Sequence, residues 1–80
     1  MEKIEKQKLA DKIKKVLKIK KNILFEDLNN QNILAWDSLA KLTLIMVIEE
    51  EYNISINVNE MERFNSFNEI HKLLENKLNS

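Results

Sequence analysis

Apolar residues recur at helical spacing in three stretches of this chain, residues 2–17, 38–52 and 67–78. A period of roughly three to four residues predicts helices that each bury one face against a shared core. A shorter segment, residues 59–64, predicts one further piece of helix. We therefore expect an all-α fold, an irregular four-helix bundle with three main helices, a short third helix and a long loop between the first two.

Capping residues mark the start of two of these helices. Asp37 and Ser38 stand before the second apolar stretch, where a short side-chain oxygen can accept the free N–H groups of a first turn. Ser66 and Glu69 have the spacing of a capping box, in which the two side chains bond each other's backbone N–H groups. These residues predict that the second helix begins at residue 38 and the fourth at residue 67.

Two connecting segments lack helical periodicity. Residues 18–36 predict a long loop, anchored in the core by Phe25 and Leu28. A loop of this length in a compact domain is often functional or contains a short element of its own. Residues 53–58 alternate apolar and polar like a strand, but a single short strand would have no partner in a helical chain. We therefore interpret residues 53–58 as an extended connector.

The apolar residues of the second helix do not fit on one face at about 100° per residue. One broad arc is expected to face the core and holds Leu42, Leu44, Ile45, Ile48 and Tyr52. An opposite strip is expected to be exposed and holds Leu39, Thr43, Met46, Val47 and Glu50. Such a strip is either a docking surface, which the adaptable side chain of methionine suits, or part of a central helix covered on both sides.

Composition excludes several kinds of site. The 80 residues suit one small domain, residues 1–80, and they include no cysteine and no glycine. The chain therefore has no disulfide, no thiolate metal site and no Gly-rich phosphate loop. The single histidine, His71, cannot build a histidine metal cluster or a convincing triad, and we expect it to be a partly exposed helix residue. These absences argue against a self-contained enzyme.

The net charge of zero hides an asymmetry along the chain. Residues 1–21 hold nine lysines and three acids, a net charge of +6, whereas residues 22–80 have a net charge of −6. A basic amphipathic segment can bind nucleic acid or an anionic membrane. Because no arginine or aromatic residue accompanies these lysines, we expect a solvated lysine face and no nucleic-acid binding.

The apolar runs of the chain are short. None approaches the roughly 20 residues that span a bilayer, so we expect no stable membrane insertion. The N-terminal residues also lack the apolar core of a signal peptide. We therefore expect a cytoplasmic protein, and we expect it to be a monomer.

A longer motif around Ser38 resembles one known family. Asp37-Ser38-Leu39, an apolar helix ending in Glu49-Glu50-Glu51-Tyr52, and then Ile54 and Ile56 are similar to the acyl carrier protein family. The resemblance covers roughly residues 35–75 well and the N-terminal third only in layout. In that family the motif serine takes a phosphopantetheine arm, and the thiol of the arm carries acyl groups as thioesters. The resemblance implies a non-catalytic carrier that is a substrate of a phosphopantetheinyl transferase.

The family resemblance also implies roles for individual residues. Ser38 would be the attachment site, and Asp37 would favour the helix start and help to position the magnesium ion of the transferase. The residues implied in partner recognition are Trp36, Leu39, Thr43, Met46, Val47, Glu49 and Glu50. A lone tryptophan such as Trp36 is a core or boundary anchor as often as it is a contact for a partner. The implied partners are the transferase, an acyl- or aminoacyl-loading ligase, and acyltransferases or synthases.

Several positions depart from the family pattern. The family often has glycine before the Asp-Ser pair and acids shortly after the leucine, whereas this chain has Ala35, Trp36, Ala40, Lys41 and Thr43. Typical fatty-acid carriers are strongly acidic, and this chain is neutral. The Trp-Asp-Ser-Leu sequence resembles stand-alone carriers of surface-polysaccharide or other secondary pathways. These features favour a specialised carrier over the fatty-acid one, and they leave open a fatty acyl, aminoacyl or hydroxyacyl load.

Two other functions are compatible with parts of the pattern. A small helical protein–protein adaptor with no prosthetic group explains the helices and the exposed strip, but it gives no reason for Asp37-Ser38 at the start of that strip. A nucleic-acid-binding bundle explains the basic first helix, but the acidic remainder and the single arginine oppose it.

Overall fold

The computed structural model describes residues 4–79, which form one bundle of helices. The four helices are α1 (Lys6–Leu17), α2 (Ser38–Tyr52), α3 (Val58–Met61) and α4 (Phe67–Asn79), and a 3₁₀ helix spans Phe25–Asp27. Within the described residues there is no strand longer than an isolated antiparallel bridge between Asn29 and Ser66. The all-α, four-helix prediction is confirmed. The part of the first helix predicted at residues 2 and 3 lies outside the described residues, and α1 begins later, at Lys6.

All three long helices and the loop contribute to a single core. The largest fully buried side chains are Leu9, Ile13, Leu28, Leu44, Ile48, Phe64, Phe67, Ile70 and Leu74. Each such side chain stabilises the fold by roughly 1.5–3 kcal/mol relative to an exposed one. The apolar residues of the first predicted helix are Ile4, Leu9, Ile13, Val16 and Leu17; all are buried except Val16, which is partly buried. Lys12 of α1 pairs with Glu51 of α2, with 2.9 Å between Nζ and Oε1.

Both ends of α2 lie where the sequence places them. At the start, Asp37 is the N-cap, and its Oδ1 accepts the backbone N–H of Ala40 at 2.9 Å. At the end, Asn53 adopts a left-handed conformation with φ 53°, which asparagine tolerates better than most residues. The predicted bounds 38–52 are confirmed.

The core-facing arc of α2 is narrower than predicted. Leu44, Ile45 and Ile48 are buried, but Leu42 is 48% exposed, so its assignment to the core is wrong. Leu42 follows Leu39 by three residues and precedes Met46 by four, and such neighbours share one helix face. It therefore extends the exposed strip.

The short third helix has different bounds from those predicted. Asn57 and Glu60 form a capping box, with Glu60 N–H donating to Asn57 Oδ1 at 2.9 Å and Asn57 N–H donating to Glu60 Oε1 at 3.0 Å. This box starts α3 at Val58, and the helix ends at Met61, before residues 62–64. Phe64 can therefore turn into the core, where it is fully buried. The predicted connector, residues 53–58, is not a strand, and its ends differ from the prediction: Asn53 is the left-handed cap of α2 and Val58 is already in α3. Between them Asn57 is extended, and Ile54 and Ile56 are partly buried.

The long loop is tied to the start of α4. Leu28 is fully buried, and the ring of Phe25 stacks on that of Phe67 with 4.6 Å between centroids. Phe67 N–H donates to Leu28 O at 2.8 Å. The start of α4 at Phe67 is confirmed, and Ser66 Oγ accepts the N–H of Glu69 at 3.1 Å.

His71 is buried, which corrects the expectation of a partly exposed residue. It lies four residues after Phe67 on α4, and the two rings stack with 5.8 Å between centroids. Its Nδ1 is 3.6 Å from Glu75 Oε1, and its buried Nε2 has no hydrogen-bond partner among residues 4–79.

No helix among the described residues is both long enough and apolar enough to cross a membrane.

Candidate functional site

Ser38 is the first residue of α2, and its side chain is exposed. The cap that starts the helix is formed by the preceding residue, whose Oδ1 is bonded to Ala40 N–H and whose carbonyl accepts Lys41 N–H at 2.9 Å. The Ser38 hydroxyl makes no hydrogen bond to the other described residues. No histidine or carboxylate side chain among residues 4–79 is hydrogen-bonded to it, so none of them is placed to act as its general base. The arrangement presents an exposed hydroxyl with no partner among the described residues at the start of a helix.

The backbone before Ser38 is fastened to the segment that precedes α4. The Trp36 indole Nε1–H donates to the Phe64 carbonyl oxygen at 3.1 Å, and Asn30 N–H donates to Asn65 O at 2.9 Å. The Trp36 backbone N–H also donates to Ile33 O at 3.0 Å. These bonds fix the direction in which the chain enters α2.

The burial of Trp36 corrects one of the expected partner-recognition residues. Its side chain is 4% exposed and belongs to the core cluster, with its single polar atom bonded to Phe64. An indole that is 4% exposed offers a docking protein almost no surface, so Trp36 serves as a core anchor that positions the start of α2. The sequence alone left this choice open, because the contact with Phe64 joins residues 28 positions apart.

A shallow, open depression of about 410 Å³ lies beside Ser38. It is lined by Asn30, Trp36, Asp37, Ser38, Lys41 and Asn65. The depression therefore brings together the end of the long loop, the first turn of α2 and the segment before α4. Its lining is mostly polar and includes one cation, Lys41.

One face of α2 presents an apolar strip that begins next to Ser38. Leu39 is 74% exposed and Met46 is 68% exposed, and Thr43 between them is also exposed. Thr43 Oγ1 donates to Leu39 O at 3.1 Å, so its hydroxyl is turned onto the helix backbone. The strip consists of Leu39, Leu42, Thr43, Met46 and Glu50, with the partly buried Val47 at its edge. We name it the docking strip for the role that we propose for it.

The three glutamates at the C-terminal end of α2 have different surroundings. Glu49 is partly buried, and its Oε2 accepts Ile56 N–H at 2.8 Å, a structural role that helical periodicity could not predict. Glu51 pairs with Lys12, whereas Glu50 is exposed and contacts no cation among residues 4–79. Burial, and secondarily the charge of Glu51, raises the pKa of the neighbouring Tyr52.

Of three comparisons with known proteins, the one with curated proteins finds relatives of this chain. No family model and no solved structure matches this chain. A curated relative, the acyl carrier protein of Buchnera aphidicola subsp. Acyrthosiphon pisum (strain 5A), is 34% identical over 73 residues, which cover 86% of this chain and 91% of the relative. The chain belongs to the acyl carrier protein family.

Proposed function

We propose that this protein carries acyl or aminoacyl intermediates as thioesters on a phosphopantetheine arm attached to Ser38. The observation that carries the proposal is the exposed, unbonded Ser38 hydroxyl at the first residue of a capped helix, in a member of the acyl carrier protein family. Members of this family are non-catalytic carriers. In this proposal the protein is a substrate of a phosphopantetheinyl transferase.

The residues around Ser38 fit a covalently attached arm. The chain has no cysteine, so a thioester needs a thiol that the arm supplies. The hydroxyl is accessible, and it has no competing bond among the described residues. Asp37 Oδ1 is occupied by the helix cap, which leaves Oδ2 to help to position the magnesium ion of the transferase.

The docking strip is the proposed contact surface for partner enzymes. It starts one residue after the attachment site and offers exposed leucine and methionine side chains, which suit several partners in turn. Glu50, whose carboxylate has no cation partner among residues 4–79, lies near the far end of the strip. Exposed ion pairs are worth only about 0–1 kcal/mol each, so Glu50 would steer and select partners more than it would bind them. The expected partners are the transferase, a loading ligase, and acyltransferases or synthases.

The pathway is proposed from the differences between this chain and typical fatty-acid carriers. Ala40, Lys41 and Thr43 stand where acids are frequent, and the overall charge is zero. We infer a specialised biosynthetic pathway in the cytoplasm and a monomeric carrier. The load is chosen by the loading enzyme.

The adaptor function makes a different prediction in the same experiment. An adaptor would use the docking strip but would not react with coenzyme A and a transferase. Intact mass after that reaction therefore separates the two functions, since a carrier gains one phosphopantetheine on Ser38 and an adaptor gains nothing.

A further inference from the structure

Lys41 occupies the side of α2 that faces the core. Leu44, Ile45 and Ile48 follow it by three, four and seven residues, and all three are buried. Residues at these spacings share one helix face, so Lys41 is the first member of the buried stripe. It is itself partly buried. A lysine at this position is directed into the depression beside Ser38, which it helps to line.

The charge of Lys41 is not matched by a carboxylate. Lys12 and Lys77 each have a glutamate oxygen 2.9 Å from the ammonium nitrogen, whereas no acid among residues 4–79 lies within 4.0 Å of Lys41 Nζ. Asp37 lines the same depression, but one of its oxygens is held by Ala40 N–H. A partly buried ammonium that lacks an ion partner gains from any anion placed beside it.

Two asparagines, Asn30 and Asn65, also line the depression. Asn30 N–H donates to Asn65 O at 2.9 Å, and Asn65 Nδ2 donates to Glu62 O at 2.7 Å. The exposed side-chain amide of Asn30 makes no hydrogen bond within the described part of the chain. The depression thus offers one cation, Lys41, and one side-chain amide, Asn30, that has no partner among the described residues.

We propose that Lys41 is a positioning residue for the arm, and that its ammonium pairs with the phosphodiester on Ser38 while the Asn30 amide bonds the first polar groups of the pantetheine. Ser38 and Lys41 are three residues apart on α2, a spacing that brings side chains about 5–6 Å apart at Cβ. The arm would then rest in the depression instead of extending freely into solvent. This inference rests on the proposed function, because the anion exists only when Ser38 is modified.

The first experiment compares melting temperatures before and after modification. Complete loading is verified by intact mass for the wild type, Lys41→Gln, Lys41→Arg and a control, Lys72→Gln, which removes an exposed lysine of α4. We expect modification to raise the Tm of the wild type, Lys41→Arg and Lys72→Gln, by up to about 4–8 °C if the new ion pair is worth about 1 kcal/mol. We expect no rise in Lys41→Gln. Equal changes in all four proteins would overturn the inference. Each protein is its own reference, so a loss of stability in the unmodified variant does not affect the comparison.

The second experiment uses the modified wild-type protein and the modified Lys72→Gln control. The ³¹P resonance of its phosphodiester should move as salt is added, because ions screen the pair with Lys41. The phosphodiester of the Lys72→Gln control should behave in the same way. A resonance as insensitive to salt as that of a free phosphodiester would contradict the inference. Absence of any mass gain would instead contradict the proposed function, so the two failures are distinguishable.

Discussion

The indole Nε1–H of Trp36 donates a hydrogen bond to the backbone carbonyl oxygen of Phe64, with 3.1 Å between the atoms and both residues buried. This bond joins the entrance of α2 to the segment that precedes α4. Ser38 is two residues beyond the indole, so its place on the surface depends on a contact between residues far apart in the chain.

Replacing Trp36 with phenylalanine should destabilise the protein while leaving the Ser38 hydroxyl present. The Phe64 carbonyl would lose its partner in the core, and an unsatisfied buried acceptor costs about 1–3 kcal/mol. Urea unfolding followed by circular dichroism measures this change. An unchanged free energy of unfolding would mean that the bond contributes nothing to the fold.

Removing the N-cap and removing its charge should have separable effects. Asp37→Ala loses the bond to Ala40 N–H and should cost about 0.5–2 kcal/mol of stability. Asp37→Asn keeps a capping oxygen and should fold nearly as well, but it should be modified more slowly if the carboxylate helps to position magnesium. The rate of modification and the Tm of both variants check this. Equal rates for Asp37→Asn and the wild type would exclude the role of the charge.

Introducing a charge at Met46 should impair docking more than folding. The side chain is 68% exposed, so Met46→Glu should change the Tm little while lowering kcat/KM of the transferase for this protein. Leu44→Ala, two residues earlier and fully buried, is the contrasting variant and should cost about 2–5 kcal/mol. A large loss of stability in Met46→Glu would place that side chain in the core and refute the docking strip.

Acid should weaken the attachment of α3. The backbone N–H of Asn57, and then the Lys77 side chain, lower the pKa of Glu60 below its ordinary value of 4.5. A carboxyl group whose pKa is lower in the folded state stabilises the fold above its unfolded pKa, and this stabilisation is lost as pH falls through the folded pKa. The Tm should therefore fall below about pH 4.5 less steeply in Glu60→Gln than in the wild type.

The matched control for that titration is Glu62→Gln, two residues along the chain and exposed. Its Tm should keep the acid dependence of the wild type. If the Tm of Glu60→Gln and the Tm of Glu62→Gln depend on pH in the same way, the Glu60 carboxylate is not the source of the acid sensitivity.

The sequence predicted the fold well where the evidence lies in neighbouring residues, as it does for a capping residue or for apolar residues at helical spacing. Asp37 and Ser66 mark the starts of α2 and α4, and both helices begin at the next residue. The predicted C-terminal end of α3 was wrong because the helix ends at Met61, and Phe64, beyond it, packs in a core formed by residues distant in the sequence. Trp36 and His71 were placed less well for the same reason, since their burial depends on contacts with Phe64 and on the packing of α4.

The candidate site follows the same division. The helical period alone places Leu39, Thr43 and Met46 opposite the predicted core-facing arc. It did not decide whether that face is exposed or covered, and the structure shows that these three residues are exposed. The depression beside Ser38 could not, because Asn30 and Asn65 reach it from two separate loops.

The central claim, that Ser38 carries a phosphopantetheine arm, is tested most directly by intact mass after incubation with coenzyme A and a promiscuous transferase. We predict that the wild type gains one phosphopantetheine, whereas Ser38→Ala gains none and keeps a helical circular dichroism spectrum. The serine side chain is exposed, so the substitution should leave the bundle intact. No gain of mass in a folded wild-type sample, or the same gain in Ser38→Ala, would contradict the account.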